Sequence, residues 1–334
     1  SRCSEAVEGL HPQCHPSLAM WSSVAMAAVA YAAWWALRRK WRRGPGPDEV
    51  VVVTGCDSGF GLGIVRALLR DTGSCVVAGA VTDGGLRRLR ELGPRVTAVE
   101  MDVTRDDHVD RAFRDVEASG KALAGVVNNA GVGVYGWAEI MPLERFEANL
   151  QVNLLGAVRV TKRALPLLRQ SRGRLVTMGS LGGRVPSAFG SAYVPTKAAL
   201  ASFQDCVRQE VYRFGVRCSL VEPGFFATGM LHSAAETGRA ASSAAASGGE
   251  DAALAAAYGS YAEKMKRTEG AVTATEKLNG GERGCEWVVG SVIDALTAVF
   301  PRTRYLCGVD ANLLCLLHPF IPDFVWDIAQ TYLV

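Results

Sequence analysis

The nine cysteines include no C-x-x-C pair and are odd in number, which argues against a disulfide framework and against a zinc site. Cys56, Cys75, Cys206 and Cys218 read instead as small apolar packing residues. Charge of one sign is also missing. There are 36 basic against 33 acidic residues, a net charge of +3. Five of the basic residues, Arg38, Arg39, Lys40, Arg42 and Arg43, sit together, so the rest of the chain is near neutral and lacks the basic face that a nucleic-acid partner requires. Low hydrophobicity is absent too: with 49% hydrophobic and 21% charged residues over 334 positions, the chain can bury a large core, and disorder is excluded as its main character.

Long apolar runs are not missing: 18–37 holds twenty residues without a charge and carries Trp21, Tyr31, Trp34 and Trp35. Twenty such residues in a helix match a hydrocarbon core of ~30 Å. The basic cluster follows at once, whereas only Arg2, Glu5 and Glu8 precede the run, so the positive-inside rule places the following domain in the cytosol. A secretory signal would carry its charge before a shorter apolar core, and a mitochondrial presequence would be amphipathic. The expectation is a single-pass anchor in the endoplasmic reticulum membrane, with a mitochondrial membrane as the alternative. The chain begins without Met, and Met20 is a candidate natural start.

Gly44-Pro45-Gly46-Pro47 ends any helix and reads as a linker over 44–48, after an anchor region 1–43. Beyond it, short apolar runs at 50–54, 75–80, 96–100, 125–128, 174–178 and 217–221 alternate with longer amphipathic stretches. Strands with no polar alternation, separated by helices, predict a parallel sheet covered on both faces. One domain is expected over 49–311, including a substrate loop 225–286 whose alanine-, serine- and glycine-rich part (241–249) reads as a mobile loop or loosely packed helix rather than a separate fold, followed by an apolar segment 312–334. That last segment could close over a greasy pocket, dip into a bilayer surface, or simply pack.

The first strand runs into T-G-C-D-S-G-F-G over 54–61, and a helical segment follows. Gly55, Gly59 and Gly61, with Ser58 and Phe60 between them, allow a tight turn that brings backbone close to a pyrophosphate at a helix N-terminus. Between a first strand and a first helix, this predicts a dinucleotide site. Asp83, just after the second strand, would accept hydrogen bonds from a ribose 2′-hydroxyl and repel a 2′-phosphate, and Ser58 supplies no cation, so NAD is favoured over NADP.

Tyr193 and Lys197 stand four residues apart, one helical turn, with Pro195 placing a helix start near Ala192. An ammonium there would lower the phenol's pKa from ~10 and make it a usable acid/base. Ser180, after the strand 174–178, can hold a substrate oxygen while Tyr193 moves the proton.

These motifs, with N-N-A-G (128–131), V-N-L-L-G around Asn153 and P-G-F-F-A-T (223–228), resemble the short-chain dehydrogenase/reductase family over 49–231. The resemblance implies a Rossmann-like doubly wound α/β domain and a catalytic set of Asn153, Ser180, Tyr193 and Lys197, in which Asn153 holds a helix carbonyl and a water. It implies cofactor contacts from Asp102 and Val103 near the adenine, from Asn129, Ala130 and Gly131, from Tyr193 and Lys197, and from Pro223 and Thr228. P-R-T-R-Y (301–305) and Asp310-Ala311 narrow the likeness to the branch with membrane-bound retinol dehydrogenases, hydroxysteroid dehydrogenases and 3-hydroxybutyrate dehydrogenase. The implied activity is interconversion of hydroxyl and carbonyl on a lipophilic alcohol or ketone, in a chain free to form a homo-oligomer. A small hydroxy acid as substrate, and a non-catalytic lipid- or cofactor-binding membrane protein, are the alternatives.

Overall fold

The structure is a computed structural model that describes residues 41–139, 141–226, 270 and 272–333, together with Met26, Val29, Ala30, Ala33 and Trp34. Those five are helical and exposed. The rest of the apolar run 18–37 lies outside the described residues, and among the described residues no helix is long and apolar enough to cross a membrane.

The first half alternates β1 (Glu49–Val53), α1 (Gly59–Asp71), β2 (Cys75–Ala80), α2 (Asp83–Arg90), β3 (Val96–Glu100), α3 (Asp106–Ala118) and β4 (Ala122–Asn128). It continues through α4 (Leu143–Leu150), a π-helical turn Gln151–Gly156, α5 (Ala157–Ser171), β5 (Arg174–Met178), α6 (Val194–Val211), β6 (Arg217–Pro223), α7 (Cys285–Thr297), β7 (Arg304–Cys307), α8 (Val309–Leu317) and α9 (Asp323–Leu333). The seven strands form one sheet in the order β3-β2-β1-β4-β5-β6-β7. Each neighbouring pair is parallel, for example Val51 opposite Val76 and Val127 opposite Val176. The order reverses between β1 and β4, and in doubly wound sheets ligands bind beyond the strand ends at that point.

Valine-rich strands buried on both faces leave two apolar surfaces for helices to cover. On one, Ile64, Leu68 and Leu89 of α1 and α2 meet Val288, Val292 and Leu296 of α7. On the other, Phe113 of α3 packs with Val160 and Leu168 of α5 and Val207 of α6. Each fully buried Leu or Phe contributes about 1.5–3 kcal/mol.

The six expected strands are present. β7 was not among them: it is four residues long and holds an edge position, where alternate burial leaves only Tyr305 and Cys307 inside. The expected linker is laid against the domain. Arg43 N donates to Thr297 O (2.7 Å), Val299 N to Trp41 O (2.9 Å) and Gly73 N to Pro45 O (3.1 Å), while Arg42 pairs with Asp294 at 2.6 Å. The alanine-rich part of the loop lies outside the described residues.

Candidate active site

The glycine turn closes because three positions cannot carry a side chain. Gly55 has φ +68°, and a Cβ there would meet the Ala130 Cα at 2.7 Å, while one on Gly61 would meet the Gly55 carbonyl oxygen at 2.1 Å. Gly59, at φ +55°, faces open space within 4 Å. Asn129 fastens the turn to the end of β4: its amide donates to Thr54 O (2.8 Å) and Gly55 O (2.9 Å), and Thr54 Oγ1 accepts from Asn129 N and Ala130 N. Ser58 precedes α1 without a side-chain cap, and the first turn of α1 carries no acidic residue. Its N–H groups therefore keep the partial positive charge that suits a pyrophosphate.

Sequence reasoning looked for a carboxylate after β2 and missed the part played by one in the turn itself. Asp57 reaches across to the end of β2, where its carboxylate accepts from Val81 N (3.1 Å), Thr82 N (2.9 Å) and Thr82 Oγ1 (2.6 Å). Asp83 stands two residues beyond Val81, exposed in the first turn of α2. Arg88 donates to the Asp57 carbonyl at 2.7 Å. Only the position of Asp57 between the glycines could have signalled it. Asp102 follows β3, with Oδ1 bound to Thr104 N (2.9 Å) and Oγ1 (2.8 Å), and Val103 is buried against Gly156.

Ser180, Tyr193, Lys197 and Asn153 converge. Ser180 leaves β5 in extended backbone and accepts from Gly182 N (3.1 Å). Its hydroxyl also lies close enough to the Tyr193 phenol to favour the ionised form. The helix starts at Val194 rather than near Ala192. Tyr193 takes the capping place because Pro195 fits only the first turn. Lys197 is 3% exposed, its Nζ lies 5.8 Å from the Tyr193 ring centre and donates to Met178 O at 2.9 Å.

The expected lowering of the phenol by Lys197 is overruled by burial. Desolvation disfavours both charged forms, so Tyr193 is pushed up to about 12 and Lys197 down to about 8. Asn153 sits on the π-helical turn, which redirects it out of the α-helical register. The carbonyl it holds belongs to the loop after β4 rather than to a helix: its amide donates to Val132 O (2.9 Å) and its Oδ1 accepts from Val132 N (2.8 Å). It also donates to Thr196 Oγ1 (3.1 Å). Gly131 lies between these groups, so that a Cβ there would stand 3.2 Å from Asn153 Oδ1 and 3.6 Å from Lys197 Nζ.

The wall beside this cluster is aromatic, which no sequence pattern signalled. Tyr135 packs on Tyr193 at 5.3 Å between ring centres, and Trp137 on Phe189 at 4.3 Å. Gly136 N donates to Phe189 O (2.9 Å), joining the loop after β4 to the loop after Ser180. Phe189 holds φ +64°, a conformation that costs a bulky residue on the order of 1–3 kcal/mol and is paid only where the surroundings fix it. Glu222, 1% exposed in its side chain, accepts from Arg184 Nε (2.7 Å) and Arg304 Nη1 (3.0 Å), tying the loop after Ser180 to β6 and β7. Pro223 ends β6 at the same edge, and Thr228 lies outside the described residues.

Residues 49–239 match the short chain dehydrogenase family. The chain is 36% identical to mouse retinol dehydrogenase 16, over 84% of this chain and 87% of that protein. It is 34% identical to bovine 17-beta-hydroxysteroid dehydrogenase type 6, over 85% and 88%. It is 33% identical to rat mitochondrial D-beta-hydroxybutyrate dehydrogenase, over 77% and 76%. In structure it is similar to a short-chain dehydrogenase from Streptomyces avermitilis, with TM-score 0.65 and 27% identity over 85% of this chain and 95% of that one.

Proposed function

The chain belongs to the short-chain dehydrogenase family, and from that premise we propose that it is an NAD-dependent oxidoreductase interconverting hydroxyl and carbonyl on a lipophilic retinoid or hydroxysteroid. The observation that carries the reading is the juxtaposition of a Ser180–Tyr193–Lys197 cluster with the Tyr135, Trp137 and Phe189 rings. A polar reacting group set against an aromatic wall suits a substrate with one oxygen on a large apolar body.

The glycine cradle, the uncapped α1 terminus and the Asn129 fastening fit a nicotinamide dinucleotide, which when bound supplies the hydride acceptor or donor. In the alcohol-oxidising direction the Ser180 hydroxyl orients the substrate oxygen and Tyr193 Oη takes its proton. The step uses the phenolate that burial disfavours; Lys197, on the next helical turn, offsets part of that cost, and Asn153 fixes the Val132 peptide beside them. Asp57, seconded by Asp83, disfavours a 2′-phosphate at the end of β2, which supports NAD.

A membrane location is supported by the uncharged run 18–37, by the exposed Met26 and Val29 within it, and by exposed Leu313 and Leu316, Phe324 and Ile328 on the last two helices and Phe320 in the turn between them. The basic flank supports a cytosolic domain, and a run that is apolar rather than amphipathic favours the endoplasmic reticulum over a mitochondrial membrane.

A small hydroxy acid is the second reading, favoured by the likeness to D-beta-hydroxybutyrate dehydrogenase. It needs a cation for the carboxylate, and Arg184, in the loop after Ser180, is engaged by Glu222. The test is NADH formation by detergent-solubilised protein with all-trans-retinol, 17β- and 3α-hydroxysteroids and 3-hydroxybutyrate. Turnover of a lipophilic alcohol that falls by on the order of 10²–10⁴ in Tyr193→Phe is expected. Full activity of that variant overturns the assignment, and turnover of hydroxybutyrate alone promotes the second reading.

A further inference from the structure

A second polar cluster, outside the Ser180–Tyr193–Lys197 group, joins both ends of the substrate segment to the start of α8. Asp310 is 8% exposed and Asn279 4%. Asp310 Oδ2 accepts from Phe225 N (2.8 Å), and Asp310 Oδ1 accepts from Asn279 Nδ2 (2.7 Å). Asn279 Nδ2 also donates to Phe225 O (2.8 Å), and its Oδ1 accepts from Val309 N (2.8 Å). Gly224 N closes the ring on Cys307 O (2.8 Å). The packing leaves no slack, since a Cβ on Gly224 would meet the Asp310 carboxylate at 2.1 Å and one on Gly308 would meet it at 2.3 Å.

Both peptide groups of Phe225 are thus held by side chains rather than by sheet or helix. The next residue, Phe226, is 2% exposed and meets the Phe60 ring of the glycine turn edge-on, with centres 6.1 Å apart. On its other side the C-terminal pair reaches the loop after Ser180. Leu314, Cys315 and Trp326 pack on Leu181 and Val185, Trp326 Nε1 donates to Pro186 O (3.1 Å), and Ala188 N donates to Gln330 Oε1 (3.2 Å).

We propose that Asp310 and Asn279 are positioning residues. They clamp the Gly224–Phe226 wall and, through α8 and α9, hold it in register with the loop that carries Ser180. A buried carboxylate facing two donors, and an amide using both of its ends, make a set in which each partner is irreplaceable singly. Asp310→Asn turns one acceptor into a donor opposed to another donor. Asn279→Asp sets two carboxylates together. The exchanged pair, Asn279→Asp with Asp310→Asn, restores the bonds from Phe225 N and Val309 N and the bond between the two side chains, and leaves an acceptor facing Phe225 O as its one unfavourable contact.

The proposal rests on the oxidoreductase reading of the neighbouring site, so its test has one arm that needs no substrate. Hydrogen exchange of the full-length protein should show faster exchange at Phe225 and Val309 in Asp310→Asn, unchanged exchange in the glycine turn, and recovery at both amides in the exchanged pair. The second arm uses the alcohol turned over by wild-type protein and NADH binding by fluorescence. Asp310→Asn should lower kcat/KM for the alcohol at least tenfold, NADH affinity should stay within about threefold because Asn129 and Asp57 hold the turn independently, and the exchanged pair should recover most of the loss. Unchanged exchange at Phe225 overturns the clamp. Faster exchange with unchanged kcat/KM overturns the positioning role, as does a parallel fall of NADH affinity and kcat/KM that the exchanged pair does not rescue. If wild-type protein turns over none of the alcohols, the functional reading fails, while the exchange arm still decides the clamp.

Discussion

Lys197 gives the most direct physical test of the site, because its titration does not depend on which alcohol the enzyme accepts. The ammonium is 3% exposed and donates to the Met178 carbonyl, and burial lowers its pKa from the ordinary 10.5 to about 8. The unfolded chain therefore binds more protons than the folded one between those values, and stability rises with pH across that window. The contribution is fully present above about pH 10.5 and is lost as pH falls through about 8, a cost of about 3 kcal/mol to folding at neutral pH. Most of that, about 2–3 kcal/mol, is regained between pH 7 and 10.

The perturbation is Lys197→Met, which keeps length and burial and removes the titrating group. Equilibrium urea unfolding in detergent at pH 7, 8, 9 and 10, for wild type and variant, gives the difference to be compared. The buried thiols of Cys218 and Cys307, pushed up to about 12 and about 11, work in the opposite direction above pH 9, but both proteins contain them and they cancel. Tyr193, pushed up to about 12, begins to matter only beyond pH 10. The variant should be the more stable protein at pH 7 relative to its standing at pH 10. A wild-type minus variant difference that stays constant within about 0.5 kcal/mol over the range refutes the claim that this ammonium is desolvated.

Two further outcomes concern ligand recognition. On the NAD reading, Asp57→Asn should shift the NADH-to-NADPH ratio of dissociation constants, read by fluorescence, toward NADPH by about tenfold or more, because a neutral amide at the end of β2 no longer repels a 2′-phosphate; equal weakening of both cofactors would reduce Asp57 to a brace for the turn after β2. Trp137→Ala should raise KM for a lipophilic alcohol by about 10–100-fold through lost apolar contact, with kcat for a short alcohol nearly unchanged, and an equal effect on both substrates would show that the ring only supports Phe189.

The strands and the reacting cluster were legible because each leaves a local pattern. A run such as Val50–Val53 between a turn and a helix announces a strand buried on both faces, and a phenol four residues before an ammonium announces a shared helical face. Asn153 was legible only through resemblance. A π-helical turn has no composition of its own, and the partner that gives the amide its purpose, the Val132 peptide, lies 21 residues away. Burial was misjudged for the same reason. Spacing places Lys197 beside Tyr193 but does not say that both are dehydrated, and dehydration reverses the expected direction of the phenol's shift.

Asp57 and Asp310 extend the point. Each stands near a motif that the sequence displays, one inside the glycine turn and one after β7, yet each acts on backbone brought to it from elsewhere, Val81 and Thr82 for the first and Phe225 for the second. A carboxylate that accepts backbone N–H groups from another segment fixes the relative position of two chain stretches more rigidly than apolar packing can, since hydrogen-bond strength falls steeply with distance and angle. Both carboxylates sit where two such stretches must keep register, between the glycine turn and β2, and between the substrate segment and the C-terminal helices. The first seam borders the glycine turn, and the second carries Phe226, whose ring meets Phe60 of that turn. The seams, more than the reacting cluster itself, are therefore where a substitution should alter which alcohol is accepted without abolishing proton transfer.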